Sequence, residues 1–200
     1  MSHPAVSPIP APELEQLLPL TTPADTCRGM FFNGVLDAAR TLGGEEVRAK
    51  CFVASGEKRF VDFFSYPVAD FLKTIFTAAA LLGPRHGGRE AVFQQLGRRA
   101  TEDFLNSTVG KTMLALAGND PRRLLSSFPN AYRASLSYGE RTLEWKGDQH
   151  ARLLARNDFL PVPYQEGVLQ AALERSSARN PRVSGHRLGV LDADYDISWS

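Results

Sequence analysis

The residues able to do chemistry in this chain are few and scattered. The histidines are His3, His86, His150 and His186. The first lies in a proline-rich stretch and the next two in turn-like segments. His186, within VSGHRLGV, shares strand parity with Leu188 and Val190, which would turn it to an apolar face. It reads as a core or edge histidine bonded to backbone rather than a haem or metal ligand, since no histidine pair or CxxC supports a metal. Cys27 and Cys51 are too few for a disulfide framework or a zinc site. Cys51 sits beside Lys50 and near Arg48, and nearby cations lower a thiol pKa. The plainer role of a free cysteine is a small buried hydrophobe. Cys27, at the expected start of a helix, has the same two readings. Asp192, Asp194 and Asp196 alternate along a strand without the loop glycine and bidentate Glu of an EF-hand, so solvent-facing alternation explains them. Arg98–Arg99 and Arg122–Arg123 read as solvated helix faces before they read as anion or partner contacts. Tyr164, Glu166 and His186 would make a polar cluster only if the fold assembled them.

Motifs that carry a mechanism are missing. There is no phosphate loop, no dinucleotide fingerprint, no nucleophile elbow and no HExxH. The reading is therefore non-enzymatic, with no catalytic residue, no metal and no cofactor. What the chain has in quantity is aromatic carbon. Phe31, Phe32, Phe63, Phe64, Tyr66, Phe71 and Phe76 crowd its first half, where they fill a core or an interface, or line a pocket for an apolar ligand.

The 200 residues suit one domain with an N-terminal extension. Apolar residues make up 43% and charged residues 22%, as in ordinary globular proteins. A net charge of +1 argues against a general grip on nucleic acid or on an anionic membrane. No apolar run approaches the roughly 20 residues that span a bilayer. The N-terminus lacks the basic and apolar regions of a signal peptide, and the free thiols suit a reducing compartment, so a cytoplasmic protein is expected.

The elements that must position these residues are read from periodicity. Residues 1–23 form a Pro-rich arm and 24–200 a single α+β domain. Thr26 is placed as the N-cap of a helix to about Leu42, ended by Gly43–Gly44, with a short helix from Glu45 to Phe52. Val68–Leu82 is the most apolar helix, buried on several sides or at a subunit interface. Arg89–Ala117 is helical with a break near Asn106–Ser107, and Gly97 marks a close helix contact. Asp120 and Pro121 begin a short helix that ends at Pro129. From there the period becomes two. Ala131–Tyr138 and Arg141–Lys146 form a hairpin turning at Gly139–Glu140, and Ala151–Asn157 adds a third strand. A crossover helix runs from about Tyr164 to Arg175. Arg182–Val190 and Asp194–Trp199 close the chain, with Tyr195, Ile197 and Trp199 facing the core. Helices thus pack on a mainly antiparallel sheet of four to five strands.

From Phe93 onward the chain resembles the 4-vinyl reductase domain. The resemblance rests on QQLGRRATEDF, the hairpin YRASLSYGERTLEW, DFLPVPYQEGVLQAAL with its central Gly167, and the closing RVSGHRLGV and YDISW. That module is related in fold to the haem–nitric-oxide-binding domains and to the TRAPP core subunits. Over nearly its whole length, including GMFFNGVLDA, the chain is similar to an uncharacterised myxobacterial family of about 200 residues carrying a domain of unknown function. The metal-binding 4-vinyl reductase domains use clustered C-terminal cysteines, and this chain has none after Cys51. Haem–nitric-oxide domains use a helix histidine and Tyr-x-Ser-x-Arg. Tyr132-Arg133-Ala134-Ser135 is out of register with that motif, and no histidine falls on an expected core helix, so haem is not implied. The resemblance implies a ligand-sensing or adaptor homodimer, with the Val68–Leu82 helix in its interface. A pocket between helices and sheet, lined by Phe71, Ile75, Phe104, Trp145, Phe159 and Tyr164, would take a small hydrophobic molecule. The alternatives are a ligand-free module that recruits a protein partner and an enzyme of uncommon mechanism.

Overall fold

A computed structural model describes residues 12–200; residues 1–11, the first part of the expected arm, lie outside the described residues. The order is helix α1 (Pro12–Leu17), strand β1 (Thr26–Arg28), helix α2 (Gly29–Ala54), strand β2 (Ser65–Pro67), then helices α3 (Val68–Leu82), α4 (Arg89–Asn106), α5 (Thr108–Ala117) and α6 (Pro121–Ser135). Strands β3 (Glu140–Gly147) and β4 (His150–Arg156), helix α7 (Val162–Glu174), and strands β5 (Arg182–Arg187) and β6 (Ala193–Ser198) complete it. The larger sheet is antiparallel throughout, in the order β3-β4-β6-β5. The α+β expectation is met, with four strands in the main sheet.

Three local readings are corrected. Thr26 is not a helix cap: Thr26–Arg28 pairs with Ser65–Pro67 as a two-stranded antiparallel sheet, and α2 begins at Gly29. The break expected at Gly43–Gly44 is met: two helical segments join there at a kink, because Gly44 takes φ 79°, a conformation glycine adopts without a Cβ clash. The short helix does not end at Pro129, and Ala131–Tyr138 is not a strand. Asp120 accepts a hydrogen bond from the Arg122 amide at 2.8 Å, Pro121 occupies the first turn, and α6 runs through Pro129 to Ser135. An interior proline costs about 3 kcal/mol. Here Leu124, Leu125 and Phe128 bury one face of the helix, which offsets that cost. The hairpin is therefore β3–β4. Finally, His186 does not face an apolar layer: it is exposed on β5 opposite Asp194, and Leu188 and Val190 lie beyond the strand in solvent.

The first core packs α2, α3 and α4 together around Phe32, Phe71, Leu72, Ile75 and Leu96. Within it α3 buries Val68, Phe71, Leu72, Thr74, Ile75, Phe76, Ala78, Ala79 and Leu82. Of the two readings of this helix, burial on several sides is met within the chain. The second core joins α6 and α7 to the sheet through Leu124, Leu153, Leu169, Tyr195 and Ile197. Trp199 packs at its margin, half-buried.

Helix α7 joins the two cores. It crosses α4 at two glycines. A Cβ on Gly97 would come 1.9 Å from the Tyr164 carbonyl oxygen, and one on Gly167 would come 2.0 Å from that of Gln94. Only hydrogen lets the backbones meet this closely. Residues 12–20 fold back on the body: Leu17 is buried in the first core.

Candidate ligand cavity

On its other side α7 faces α6, and there the packing leaves a cavity of about 70 Å³. Its lining is almost wholly carbon. Helix α3 contributes Phe71, α4 contributes Ala100 and Phe104, α6 contributes Phe128 and Tyr132, and α7 contributes Tyr164, Gln165 and Val168. Of the six residues expected to line a pocket, Phe71, Phe104 and Tyr164 meet here. The other three do not. Ile75 is fully buried in the first core. Phe159 is buried against Tyr138, with ring centroids 5.0 Å apart. Trp145 lies on the sheet beside Trp199, with Arg122 over its ring at 4.1 Å. Sequence reasoning missed Phe128, Tyr132 and Gln165. Leu124, Phe128 and Tyr132 are spaced i, i+4, i+8, a helical signal that the early stop at Pro129 hid.

Behind the cavity lies a buried polar chain. The Tyr132 hydroxyl donates to Gln165 Oε1 at 2.6 Å, and Gln165 Nε2 donates to Asp158 Oδ2 at 2.7 Å. The Leu160 amide donates to Asp158 Oδ1 at 3.1 Å. Arg141 Nη2 stands 2.9 Å from Asp158 Oδ2, close but not aligned as a hydrogen bond. The Arg141 guanidinium also lies over the Tyr132 ring at 4.6 Å. Burial opposes its charge, yet the neighbouring Asp158 helps hold its pKa above the usual arginine value. Burial pushes the Tyr132 and Tyr164 phenols well up, so both remain neutral.

The remaining candidate groups do not converge. Burial pushes the Cys51 thiol up to about 12, and the Cys27 thiol upward too, which makes them inert hydrophobes rather than nucleophiles. His86 bonds the Leu42 carbonyl oxygen, His150 bonds Asp196, and His186 bonds Asp194. Asp194 is not solvent-facing as expected: it is buried and also takes Arg152. Glu166 accepts from Gln94 and from the Gly185 amide, while His186 bonds Asp194 instead. No group of three metal-capable side chains occurs among the described residues.

Residues 20–200 match the family model described as protein of unknown function (DUF2378). The chain belongs to this family. No curated protein matches this DUF2378 chain in sequence. Solved structures match it in fold. The Fe(II) unliganded H-NOX protein from K. algicida is 12% identical, with a TM-score of 0.67 over 86% of this chain and 96% of that one. An H-NOX protein from S. oneidensis in the Fe(II)NO state is 13% identical, with a TM-score of 0.68 over 86% and 99%. The IWP-051-bound H-NOX from Shewanella woodyi, in the Fe(II)CO state, is 16% identical, with a TM-score of 0.63 over 86% and 94%. The DUF2378 chain therefore has the H-NOX fold.

Haem does not fit this DUF2378 cavity. Haem iron is held by His, Cys thiolate, Met/His or a Tyr oxygen. Among the described residues no histidine or cysteine lines the cavity. Its two phenols are held neutral, and one already donates its proton to Gln165. Met113 is the single thioether at the wall among the described residues. A water needs roughly 10–15 Å³ on this scale, so about 70 Å³ takes a few atoms and not a porphyrin.

Proposed function

We propose that this protein is a non-enzymatic sensor or adaptor domain that takes a small apolar molecule, without haem, between α4, α6 and α7. The observation that carries the reading is the carbon-lined cavity beside Tyr132, Tyr164 and Phe104 in an otherwise close-packed interior. Interiors rarely leave such space, and a closed apolar void of about 150 Å³, about twice this one, takes up benzene. Movement would pass to the sheet along α7, which carries Tyr164 and Gln165 in the wall and abuts β5 through the bond from the Gly185 amide to Glu166. A homodimer belongs to the same proposal.

The test is native mass spectrometry and an absorption spectrum of the purified protein, followed by thermal unfolding with saturating benzene. The expected results are no haem absorption band and a Tm that rises with ligand concentration by mass action. Stoichiometric haem, or a Tm indifferent to benzene, would overturn the reading.

A second reading has its own observation. Phe63 and Phe64 are 68% and 56% exposed and stack edge-to-face, so their loop suits a protein partner. Replacing both by Ser would abolish partner capture under this reading and leave benzene binding intact under the first.

A further inference from the structure

The cavity does not end at its own wall. A groove of about 780 Å³ runs between α2, the α4–α5 junction and α6. Phe104 and Ser135 line both spaces, so the two adjoin there. The cavity is apolar and the groove is charged. A molecule longer than the cavity would keep its apolar end inside and place its other end in the groove.

The charges at that junction are unequal in their commitments. Arg99 lies between Asp103 at 2.9 Å and Asp37 at 3.3 Å, and Asp37 also takes Arg40, so these two cations serve these two carboxylates, with Asp103 Oδ2 buried without a hydrogen-bond partner among the described residues. Arg48 is taken by Glu45. Arg28 differs. Its Nε donates to the Ala134 carbonyl oxygen at 3.0 Å, one residue from Ser135, and its Nη1 donates to the Phe63 carbonyl oxygen at 2.6 Å. The Ser65 hydroxyl lies 3.3 Å from Nη1. These bonds hold the guanidinium in place beside the junction without neutralising it. No carboxylate lies within 4.0 Å of it among the described residues. Asp62 also lines the groove, with an oxygen held by the Asn33 amide at 2.8 Å.

We infer that the ligand is an amphiphilic monoanion, an apolar body seated in the cavity with a carboxylate at the groove paired to Arg28. This rests on the cavity being a ligand site. A carboxylate suits a guanidinium that retains unused donors, and a charge-assisted bond there is worth more than a neutral one.

The experiment compares four probes by ligand-observed NMR titration of the whole chain: benzene, phenylpropanol, phenylpropionate and phenylpropylamine. Phenylpropionate is expected to bind about tenfold more tightly than phenylpropanol at low salt, the scale of one charge-assisted hydrogen bond. Added salt should shrink that ratio. Arg28→Gln should bring it close to one. If none of the four binds, the cavity is not a ligand site and the function proposed above fails with this inference. If benzene and phenylpropanol bind but the acid is no tighter, only this inference fails. An amine that binds best would give the head group to Asp62 and overturn it too. The wild-type series decides the matter even where Arg28→Gln unfolds.

Discussion

Helix α7 meets α4 on one side and α6 on the other, and the two contacts are built in opposite ways. Against α4, Gly97 and Gly167 bring backbone onto backbone, with less than 2.1 Å to spare for a Cβ. Against α6, the helices stand apart on Phe128, Tyr132 and Gln165, and a cavity remains. The first contact has no slack. The second is held by a hydrogen-bonded chain that ends on a buried ion pair. The close contact sets where α7 lies. The looser contact leaves room for a guest to alter the spacing of α6, which is why ligand chemistry is assigned to one side and stability to the other.

The largest expected effect breaks the polar anchor of the looser side. Arg141 and Asp158 side chains are 1% and 3% exposed, and the Arg141 nitrogens already lack aligned hydrogen-bond partners among the described residues. Asp158→Ala would leave a bare buried cation, at a cost of about 3–5 kcal/mol. Urea unfolding measures it; a loss below about 1 kcal/mol would mean that the pair does not anchor α6.

Next comes the close side. Gly97→Ala places a methyl group against the Tyr164 carbonyl oxygen, which cannot rotate away as a side chain can. Overpacking of this kind costs about 1–3 kcal/mol. Gly167→Ala should cost as much, and the double variant should cost less than the sum, since one backbone shift relieves both. Full additivity would show that the two glycines serve separate contacts.

The third effect is a pH slope that belongs to the first core. Burial raises the thiol pKa values of Cys27 and Cys51 above the ordinary thiol value near 9, the latter to about 12. A raised folded-state value means the native state keeps protons that the unfolded chain loses. Stability is therefore full below pH 9 and falls as pH rises from 9 towards 12. Each thiol contributes a slope of about 1.4 kcal/mol per pH unit there. Cys51→Ala should remove one such share of the slope. An unchanged slope would point to the buried phenols instead.

How much of this was legible depended on whether one segment's pattern sufficed. Helix α3 is apolar on most of its surface, and its bounds Val68–Leu82 follow from residue types alone. Gly97 was legible as a contact glycine because nothing else excuses glycine inside a helix. The β1–β2 pair was not, since three-residue strands give no periodicity and their pairing joins segments nearly forty residues apart. Helix α6 was lost to Pro129, where a local rule held in general and failed because tertiary burial outweighed it. With α6 went its share of the cavity wall, Phe128, Ala131, Tyr132 and Ser135. Phe71, Phe104 and Tyr164 were found as aromatics on helices facing inward. Ile75, Phe159 and Trp145 carry the same signal, and only packing separates a core residue from a wall residue.

The smallest expected effect sharpens the comparison most. Ala131 lies on α6 at the cavity and is half-buried. Ala131→Leu adds about the volume of a few methyl groups at the wall, and its partial exposure gives the new side chain room to settle. Filling a void gains burial and risks strain, so the net change in stability should stay within about 1 kcal/mol of zero. Benzene should no longer raise the Tm, because its place is taken. The same addition made on the close side would cost stability and leave benzene binding alone. If Ala131→Leu lowers stability by more than about 2 kcal/mol, α6 packs as tightly as α4 and the contrast between the two faces of α7 disappears. If it leaves the benzene response intact, the guest sits elsewhere and the looser contact is only a structural gap.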